Sequence, residues 1–372
     1  MKFTIRKSDI TDILSKVQGI TGRKSNLAIT ANILIKSNDA GISFIATDLE
    51  TGFEGNYPAD IKEPGQITIN ARKFFEIVQN FPNDDIDIEE SEKQWIKISC
   101  ENVKYNIVGL NPEDFPDIPF IEDVQFSEID SDKLKKMIER TIMISPASDE
   151  KRAHITGVYF ESALEDDKKV IRMVATDGRR LSKAEYENTD GYVFVENDNV
   201  IIPKKGLSEV SKMLDSDAKV NIGIKDNYFV VKQNHETIII GLLEGDFPDY
   251  KEIIVKDEAN SIIIDKRLFM MLLKRMSILS TENYNGVIFN FNTGNLQVNA
   301  TNPEIGESKE DLKIDYSGDP IEVAFNPKYF IDTINLIKEE NILLNINDNK
   351  HPCYLEGTED KSFLSVIMPM KL

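Results

Sequence analysis

The chain has 372 residues, enough for two or three domains that each bury a core, and its 44 basic and 64 acidic residues give a formal charge of −20. That balance excludes a nucleic-acid binder working through general basicity, so any contact with DNA has to come from where the lysines and arginines lie. Cys100 and Cys353 stand outside any Cys-x-x-Cys spacing and fit reduced thiols, and no run approaches the ~18 apolar residues of a membrane span, so a soluble, cytoplasmic protein is expected.

Lys2 to Ile5 alternates as a strand, and Ser8 or Asp9 is placed to cap a helix whose apolar residues Ile10, Ile13, Leu14 and Val17 follow helical spacing. Short β-like runs follow, ending in Ala46-Thr47-Asp48. A second helix opens after Thr68-Ile69-Asn70 and carries Phe74, Ile77, Val78 and Phe81. Further β-like runs, Trp95 to Ser99 and Val103 to Val108, complete the pattern.

The pattern then returns. Ile129 precedes a helix with Leu134, Met137, Ile138 and Thr141 on one face, the strand triplet becomes Ala175-Thr176-Asp177, and a second helix after Ile201-Ile202-Pro203 carries Leu207, Val210 and Leu214. Runs at Phe229 to Lys232 and Thr237 to Leu242 close this round. A third begins at Ile264 with Leu268, Leu272, Leu273 and Met276 on its first helix. It passes through Ala300-Thr301-Asn302, opens a helix after Ala324-Phe325-Asn326 with Phe330, Ile334 and Ile337, and ends at Phe363 to Leu372.

The phrase Gly-Leu-Asn-Pro-Glu-Asp-Phe-Pro-Asp at Gly109 to Asp117 reappears as Gly-Leu-Leu-Glu-Gly-Asp-Phe-Pro-Asp at Gly241 to Asp249. Copies so far apart exceed the ~20 to 50 residue period of solenoids, so each is a whole domain. The fold class expected is α+β: three repeated domains, each with two helices and mostly antiparallel strands joined by Asn, Asp and Gly turns. Their expected extents are residues 1–122, 123–255 and 256–372, with joints in the acidic, aperiodic stretches Ile118 to Val124 and Glu252 to Asn260.

Acids crowd the turns and edges, as at Asp84 to Glu92 and Glu113 to Asp123, whereas bases favour the helices: Lys16, Arg72, Lys73, Lys133, Lys135, Lys136, Arg140, Lys204, Lys205, Lys212, Lys274, Arg275 and Lys328. On any one helix a solvated face is the ordinary explanation. The same bias on every helix points instead to a basic surface that holds phosphates without reading bases, salt-sensitive and indifferent to sequence. Lys136 and Arg140, four residues apart, are placed to form a positive track.

No catalytic residue, metal or cofactor is assigned. Asp48 and Asp177 recur beside turns, where Asp ordinarily ties the backbone. The acidic run from Asp84 lacks the glycine and ligand spacing of a calcium loop. His154, His235 and His351 have no metal-ligand spacing, and no Gly-x-x-x-x-Gly-Lys-Ser/Thr loop is present for ATP hydrolysis. The competing readings are a metal-dependent nuclease using the clustered acids and a scaffold that binds only proteins.

The three repeats, the run Ala175-Thr176-Asp177-Gly178-Arg179-Arg180-Leu181, both Asp-Phe-Pro-Asp phrases and the ending Val366-Ile367-Met368-Pro369-Met370-Lys371-Leu372 closely resemble the bacterial DNA polymerase III beta subunits, the sliding clamps. The resemblance spans the whole chain. It implies that each chain forms half of a closed ring: a homodimer, joined head to tail, that encircles duplex DNA without sequence preference and is not an enzyme. The implied partners are the polymerase catalytic subunit, an ATP-dependent clamp loader and other clamp-binding repair and replication proteins, with no membrane and no cofactor.

Residue by residue, the resemblance implies DNA contacts at Lys24, Arg72, Lys204 and Lys205, and at Lys151, Arg152 and His154, beside the track of Lys136 and Arg140. It implies a partner-peptide groove of Ile155, Thr176, Gly178, Arg179, Arg180, Leu181, Pro248, Ile253, Pro352, Val366, Ile367, Met368, Pro369 and Met370. Adaptable Met and Val side chains suit a short peptide's apolar anchors. The implied dimer interface sets the strand of Lys104, Tyr105 and Ile107 against Ile278 and Leu279, with Lys73, Lys97 and Lys104 facing Glu304, Glu307 and Glu310. Two positions depart from the family: Ala28 stands where proline is common, and Glu252 replaces a basic residue at the groove rim, which changes the flanking residues a peptide is expected to carry.

Overall fold

The computed structural model describes residues 1–22, 27–38, 41–82, 85–91, 94–119, 121–144, 152–165, 168–187, 199–254, 260–281 and 286–371. The first copy of the repeat runs β1 (Lys2–Arg6), α1 (Lys7–Thr21), β2 (Asn32–Asn38), β3 (Gly41–Thr47), β4 (Thr51–Tyr57), β5 (Asp60–Glu63), β6 (Gln66–Asn70), α2 (Ala71–Gln79), β7 (Asp85–Glu90), β8 (Trp95–Cys100) and β9 (Val103–Val108). The second runs β10 (Ser127–Asp130), α3 (Ser131–Ile142), a short α4 (Ala153–Thr156), β11 (Gly157–Glu165), β12 (Lys168–Thr176), β13 (Arg180–Glu187), β14 (Val200–Pro203), α5 (Lys204–Met213), β15 (Lys219–Lys225), β16 (Tyr228–Gln233) and β17 (Glu236–Gly241). The third runs β18 (Ser261–Asp265), α6 (Lys266–Met276), β19 (Val287–Asn292), β20 (Asn295–Asn302), β21 (Gly306–Lys313), β22 (Ile321–Phe325), α7 (Pro327–Leu336), β23 (Asn341–Asn345), β24 (Cys353–Gly357) and β25 (Phe363–Ile367).

The helices form where the apolar spacing predicts. Ile10, Ile13, Leu14 and Val17 of α1 are buried, as are Leu134, Met137, Ile138 and Thr141 of α3, and Phe330 and Ile334 of α7. Two local expectations are corrected. The cap of α1 is Arg6, with no side-chain hydrogen bond; Ser8 and Asp9 lie inside the first turn, where Asp9 instead pairs with Arg6 at 3.1 Å. On α6 the buried stripe is Phe269, Leu272, Leu273 and Met276, and Leu268 is 43% exposed. A stripe at i, i+3, i+4 and i+7 starting from Phe269 leaves Leu268 on its outer shoulder. Side-chain caps do form at α2, α6 and α7: Asn70 accepts from the Lys73 amide, Asp265 from Leu268 and Asn326 from Lys328.

The sequence repeats in thirds, but the chain packs as two compact units. One holds Met1–Lys135 and Ile202–Leu242; the other holds Lys136–Thr189, Asn199–Ile201 and Leu243–Leu372. Sheets that run across the copy boundaries are the reason. In the first unit, β17 of the second copy pairs antiparallel with β4 of the first, from Glu236↔Gly55 to Ile240↔Thr51. The sheet so formed has the order β10-β15-β16-β17-β4-β3-β2-β6. In the second unit, β13 pairs with β25 from Arg180↔Ile367 to Ala184↔Phe363, in a sheet ordered β14-β11-β12-β13-β25-β24-β23-β18.

Each unit also carries a smaller sheet, β5-β1-β7-β8-β9 in the first and β21-β20-β19-β22 in the second. The second unit's core is aromatic: Phe269, Phe289, Phe325 and Phe330 are fully buried, and Phe325 and Phe330 meet edge to face at 5.3 Å. Each such ring stabilises the fold by about 1.5–3 kcal/mol through burial alone. Cys100 and Cys353 are buried and form no disulfide.

Candidate docking groove

The second unit gathers most of the expected groove on one face of its large sheet. Leu181 on β13 lies opposite Val366 on β25, and both are buried in a cluster with Val174, Tyr250, Tyr354 and Leu364. Because strand residues alternate faces, Ile367 points the other way, into the aromatic core. The chain then leaves the strand. The Met368 amide donates to the Arg179 carbonyl at 2.9 Å and the Met370 amide to the Ala324 carbonyl at 2.8 Å, which ties the tail down while Met368 stays 38% exposed. Pro369 and Met370 are half-buried, Pro352 and Ile155 buried, and Pro248 exposed.

Two open depressions flank Met368. One, of about 590 Å³, is lined by Glu252, Ile253, Asn347, Asp348, Lys350, His351, Pro352 and Tyr354. The other, of about 430 Å³, lies against Val323, Ala324, Lys350, Pro369 and Met370. Glu252, Lys350 and the Asp348–His351 pair, 2.7 Å apart, give the first depression a charged rim of mixed sign beside the apolar Ile253, Pro352 and Met368. Hydrogen bonds from the Lys350 and His351 amides hold the Asp348 carboxyl below the ordinary aspartate range against the cost of burial.

The β12–β13 turn sets the other end of the groove. Gly178 sits at φ +82, a conformation that penalises any side chain, and its amide donates to the Thr176 hydroxyl at 3.1 Å. Asp177 Oδ1 accepts from the Arg179 and Arg180 amides at 2.9 and 3.0 Å, so this carboxylate builds the turn, as Asp48 does in the first copy. Arg180 is buried, paired with Asp177 at 3.1 Å and Asp332 at 2.8 Å, and its guanidinium lies 4.4 Å from the centre of the Tyr329 ring. Arg179 is exposed beside it.

The cations expected to meet DNA divide into classes. Lys24 and Lys151 lie outside the described residues. Arg72 on α2, Lys136 on α3, Lys205 on α5 and Arg152 are exposed, and His154 is half-buried. Arg72 is 3.3 Å from Glu76 on its own helix, a pairing that costs little to break at an exposed site. Lys204 is buried. Arg140 does not continue a track from Lys136. It is 9% exposed, donates to Asp360 at 2.5 Å and Ser362 at 2.8 Å, and stacks over Phe363, so it serves the fold.

Of the residues expected at a dimer contact, Lys104, Tyr105 and Ile107 lie on the terminal strand β9 and Glu307 and Glu310 on the terminal strand β21, whereas Lys73 is on α2, Ile278 and Leu279 are in the turn after α6, and Glu304 is in the turn before β21. In the first unit β9 is a terminal strand, with Lys104 and Tyr105 exposed and Ile107 half-buried. In the second, β21 is terminal and carries Glu307 and Glu310, with Ile278 74% exposed, Leu279 half-buried and Glu304 exposed. Within the chain, Glu310 pairs with Arg275, Lys73 with Glu76 and Lys97 with Glu89. Among the described residues no cluster of three or more His, Cys, Asp or Glu side chains has the placement to hold a metal ion, and no helix is long and apolar enough to cross a membrane.

Sequence reasoning missed Tyr250, which clusters with Leu181 and Val366, Glu161 and Arg172, which hydrogen-bond to Tyr250, and Tyr329 and Asp332, which contact Arg180. The available signal was Tyr250, the residue after the second Phe-Pro-Asp, where the first copy has Ile118.

A threefold α+β repeat, each copy with two long helices and mostly antiparallel strands and with exposed cations on the helices, is the architecture of the DNA clamps. Family profiles for the DNA polymerase III beta subunit match its N-terminal domain at residues 1–119, its central domain at 128–249 and its C-terminal domain at 251–371. The beta sliding clamp of Vibrio cholerae is 30% identical over 380 aligned residues, covering 100% of both chains. Among solved structures, the DNA polymerase sliding clamp of Bacillus subtilis superposes with a TM-score of 0.90 at 26% identity, covering 100% of this chain and 99% of that one. A Bartonella birtlesii sliding clamp bound to griselimycin gives 0.92 at 26% identity, with 100% of both chains covered. The chain belongs to the DNA polymerase III beta subunit family, the bacterial sliding clamps, which are non-catalytic processivity factors of DNA replication.

Proposed function

We propose that two copies of this chain close head to tail into a ring around duplex DNA in the cytoplasm, and that the groove at Leu181, Ile253 and Met368 tethers the replicative polymerase and other DNA-processing proteins. The observation that carries this reading is the pair of unlike free edges. β9 presents Lys104 with Tyr105, and β21 presents Glu307, with Glu310 beside it already paired to Arg275. A head-to-tail contact needs two different, complementary surfaces, and two strand edges supply backbone pairing as well. Within this reading Arg72, Lys136, Lys205, Arg152 and His154 meet phosphates, and Lys24, Lys151 and Lys204 remain assigned to DNA from the sequence. Domain joints fall between residues 122 and 123 and between residues 255 and 256.

Threading supplies persistence, so the phosphate contacts stay weak enough for sliding. Tethering raises the polymerase's effective concentration at the primer end. The acidic exterior discourages DNA from adhering elsewhere. Griselimycin, which related clamps bind, is proposed as a ligand of the same groove. A separate ATP-dependent loader opens the ring.

The test is retention of the loaded protein on nicked circular DNA, repeated after the circle is cut once. Retention on the circle with rapid loss from the linear form is the expected result. Equal retention on both means surface binding and overturns the ring.

A further inference from the structure

Tyr250 follows the second Phe-Pro-Asp phrase, and its side chain is pinned from beneath. Its hydroxyl donates to Glu161 and accepts from Arg172 Nη1 at 3.1 Å. Arg172 Nη1 also reaches Glu161 Oε1 at 2.7 Å, and Arg172 Nε reaches Glu185 at 3.0 Å. Tyr250, Glu161 and Arg172 are 4%, 5% and 3% exposed. Burial, with the hydrogen bond to Glu161, pushes the phenol far above its ordinary range, so it stays a donor at any working pH.

The chain turns immediately after this residue. The Ile253 amide donates to the Tyr250 carbonyl and the Ile254 amide to the Lys251 carbonyl, both at 3.2 Å. From the other side the Tyr354 hydroxyl donates to the Ile253 carbonyl at 2.9 Å. Ile253 therefore stands 39% exposed on the groove wall, on a turn fixed by two tyrosines.

The first copy of the repeat is an internal control. The strand pair Lys36↔Ser43 occupies the register of Glu161↔Arg172, and Ile118 occupies the position of Tyr250. There the anchor is apolar. Ile118 packs onto Gly52, the counterpart of Leu181, so closely that a Cβ on Gly52 would meet its Cγ2 at 2.7 Å. The fold thus fastens this segment without charges when it has no other need of them. A buried ion pair adds little net stability after desolvation, so its presence at this position of the second copy and not at the matching position of the first calls for another role.

We propose that Tyr250, held by Glu161 and Arg172, is the positioning residue of the docking groove, fixing the Lys251–Ile254 turn so that Ile253 and Pro248 are set for an apolar peptide anchor before the partner arrives. The inference rests on the groove reading above. Preorganisation removes an ordering cost from binding, and losing it dilutes the binding-competent state.

The experiment uses the full-length protein and titrates griselimycin calorimetrically into the native form, Tyr250→Phe, Glu161→Gln, Ile118→Val and Met368→Glu, with amide exchange and DNA retention measured in parallel. Tyr250→Phe is expected to bind about three- to tenfold more weakly and to exchange faster at Ile253 and Ile254 than elsewhere, with a lower melting temperature and DNA retention unchanged. Glu161→Gln moves affinity and exchange in the same direction, and Ile118→Val moves neither. Unchanged affinity in both Tyr250→Phe and Glu161→Gln overturns the positioning role, as does a fall in melting temperature or in overall amide protection with no selective change at the turn. If Met368→Glu leaves griselimycin binding intact, the groove reading itself fails and this inference falls with it.

Discussion

Leu181 and Val366 face each other across the β13–β25 ladder, so the end of the chain completes a surface begun at the Ala-Thr-Asp-Gly turn of the second copy. The residues after that ladder are held by two backbone hydrogen bonds, from Met368 to Arg179 and from Met370 to Ala324. Truncation after Ile367 removes both, along with the exposed Met368 side chain, and leaves β25 whole. Partner binding is expected to vanish in calorimetry while gel filtration still reports the dimer; loss of the dimer would show that the tail serves assembly instead.

Arg140 and Lys136 are one helical turn apart and are expected to respond oppositely to substitution. Arg140→Ala strips a buried guanidinium from Asp360 and Ser362 and should cost about 1–3 kcal/mol in denaturant unfolding. Lys136→Ala should leave stability within about 0.5 kcal/mol and lower the salt dependence of DNA affinity by about one unit in log–log slope. A larger DNA defect from Arg140→Ala than from Lys136→Ala, at equal stability, would restore Arg140 to the DNA-facing set.

Acid should unlock the same contact. Burial opposes ionisation of Asp360, yet hydrogen bonds from Ser362 and Arg140 hold its carboxyl below the ordinary range. The folded state then binds fewer protons than the unfolded one near that pKa, so the stabilisation is complete above the unfolded value of about 4 and is lost as pH falls through the lower folded value. The unfolding midpoint of the native protein should fall more steeply than that of Asp360→Asn below about pH 4.

Ile278 is the most exposed large apolar side chain in the region assigned to the dimer contact. Ile278→Asp buries a charge if that contact forms, and sedimentation should show single protomers with an unchanged melting profile for the isolated chain. Persistence of the dimer would move the interface elsewhere.

Leu49 adopts φ +79 at the β3–β4 turn, where the second copy has Gly178 at φ +82. A β-carbon in that conformation costs roughly 1–2 kcal/mol, partly offset by the unfolded-state freedom a glycine adds. Leu49→Gly is expected to raise stability by up to about 1 kcal/mol, measured as a higher urea midpoint with an unchanged slope.

The helices were legible because their buried stripes are long and regular: Ile10 to Val17 and Leu134 to Thr141 declare their faces by spacing alone. Spacing is a weaker guide at a stripe's margin: Leu268, four residues before Leu272, fits the pattern as Phe269 does, and the fold buries Phe269. The groove's apolar floor was visible through the carboxy-terminal motif. Its supports were not, because Glu161, Arg172 and Tyr250 come from three separate stretches and meet only through the β11–β12 register and the chain's return at the Phe-Pro-Asp phrase. Arg140 misled for a related reason: its position on the helix is the same whether its guanidinium points to solvent or reaches Asp360, and only the third copy supplies Asp360. Nor does a pattern of repeated copies disclose that β17 will pair with β4, since backbone ladders leave little trace in side-chain identity.

That last pairing limits how the molecule can be taken apart. A fragment cut at a repeat boundary would expose the bare edge of β4 or of β17, and a cut before the third copy would do the same to β13, each edge a row of unpaired amides and carbonyls seeking another strand. Single copies made in isolation should therefore self-associate, and the smallest well-behaved piece of this polypeptide is larger than the unit its sequence repeats.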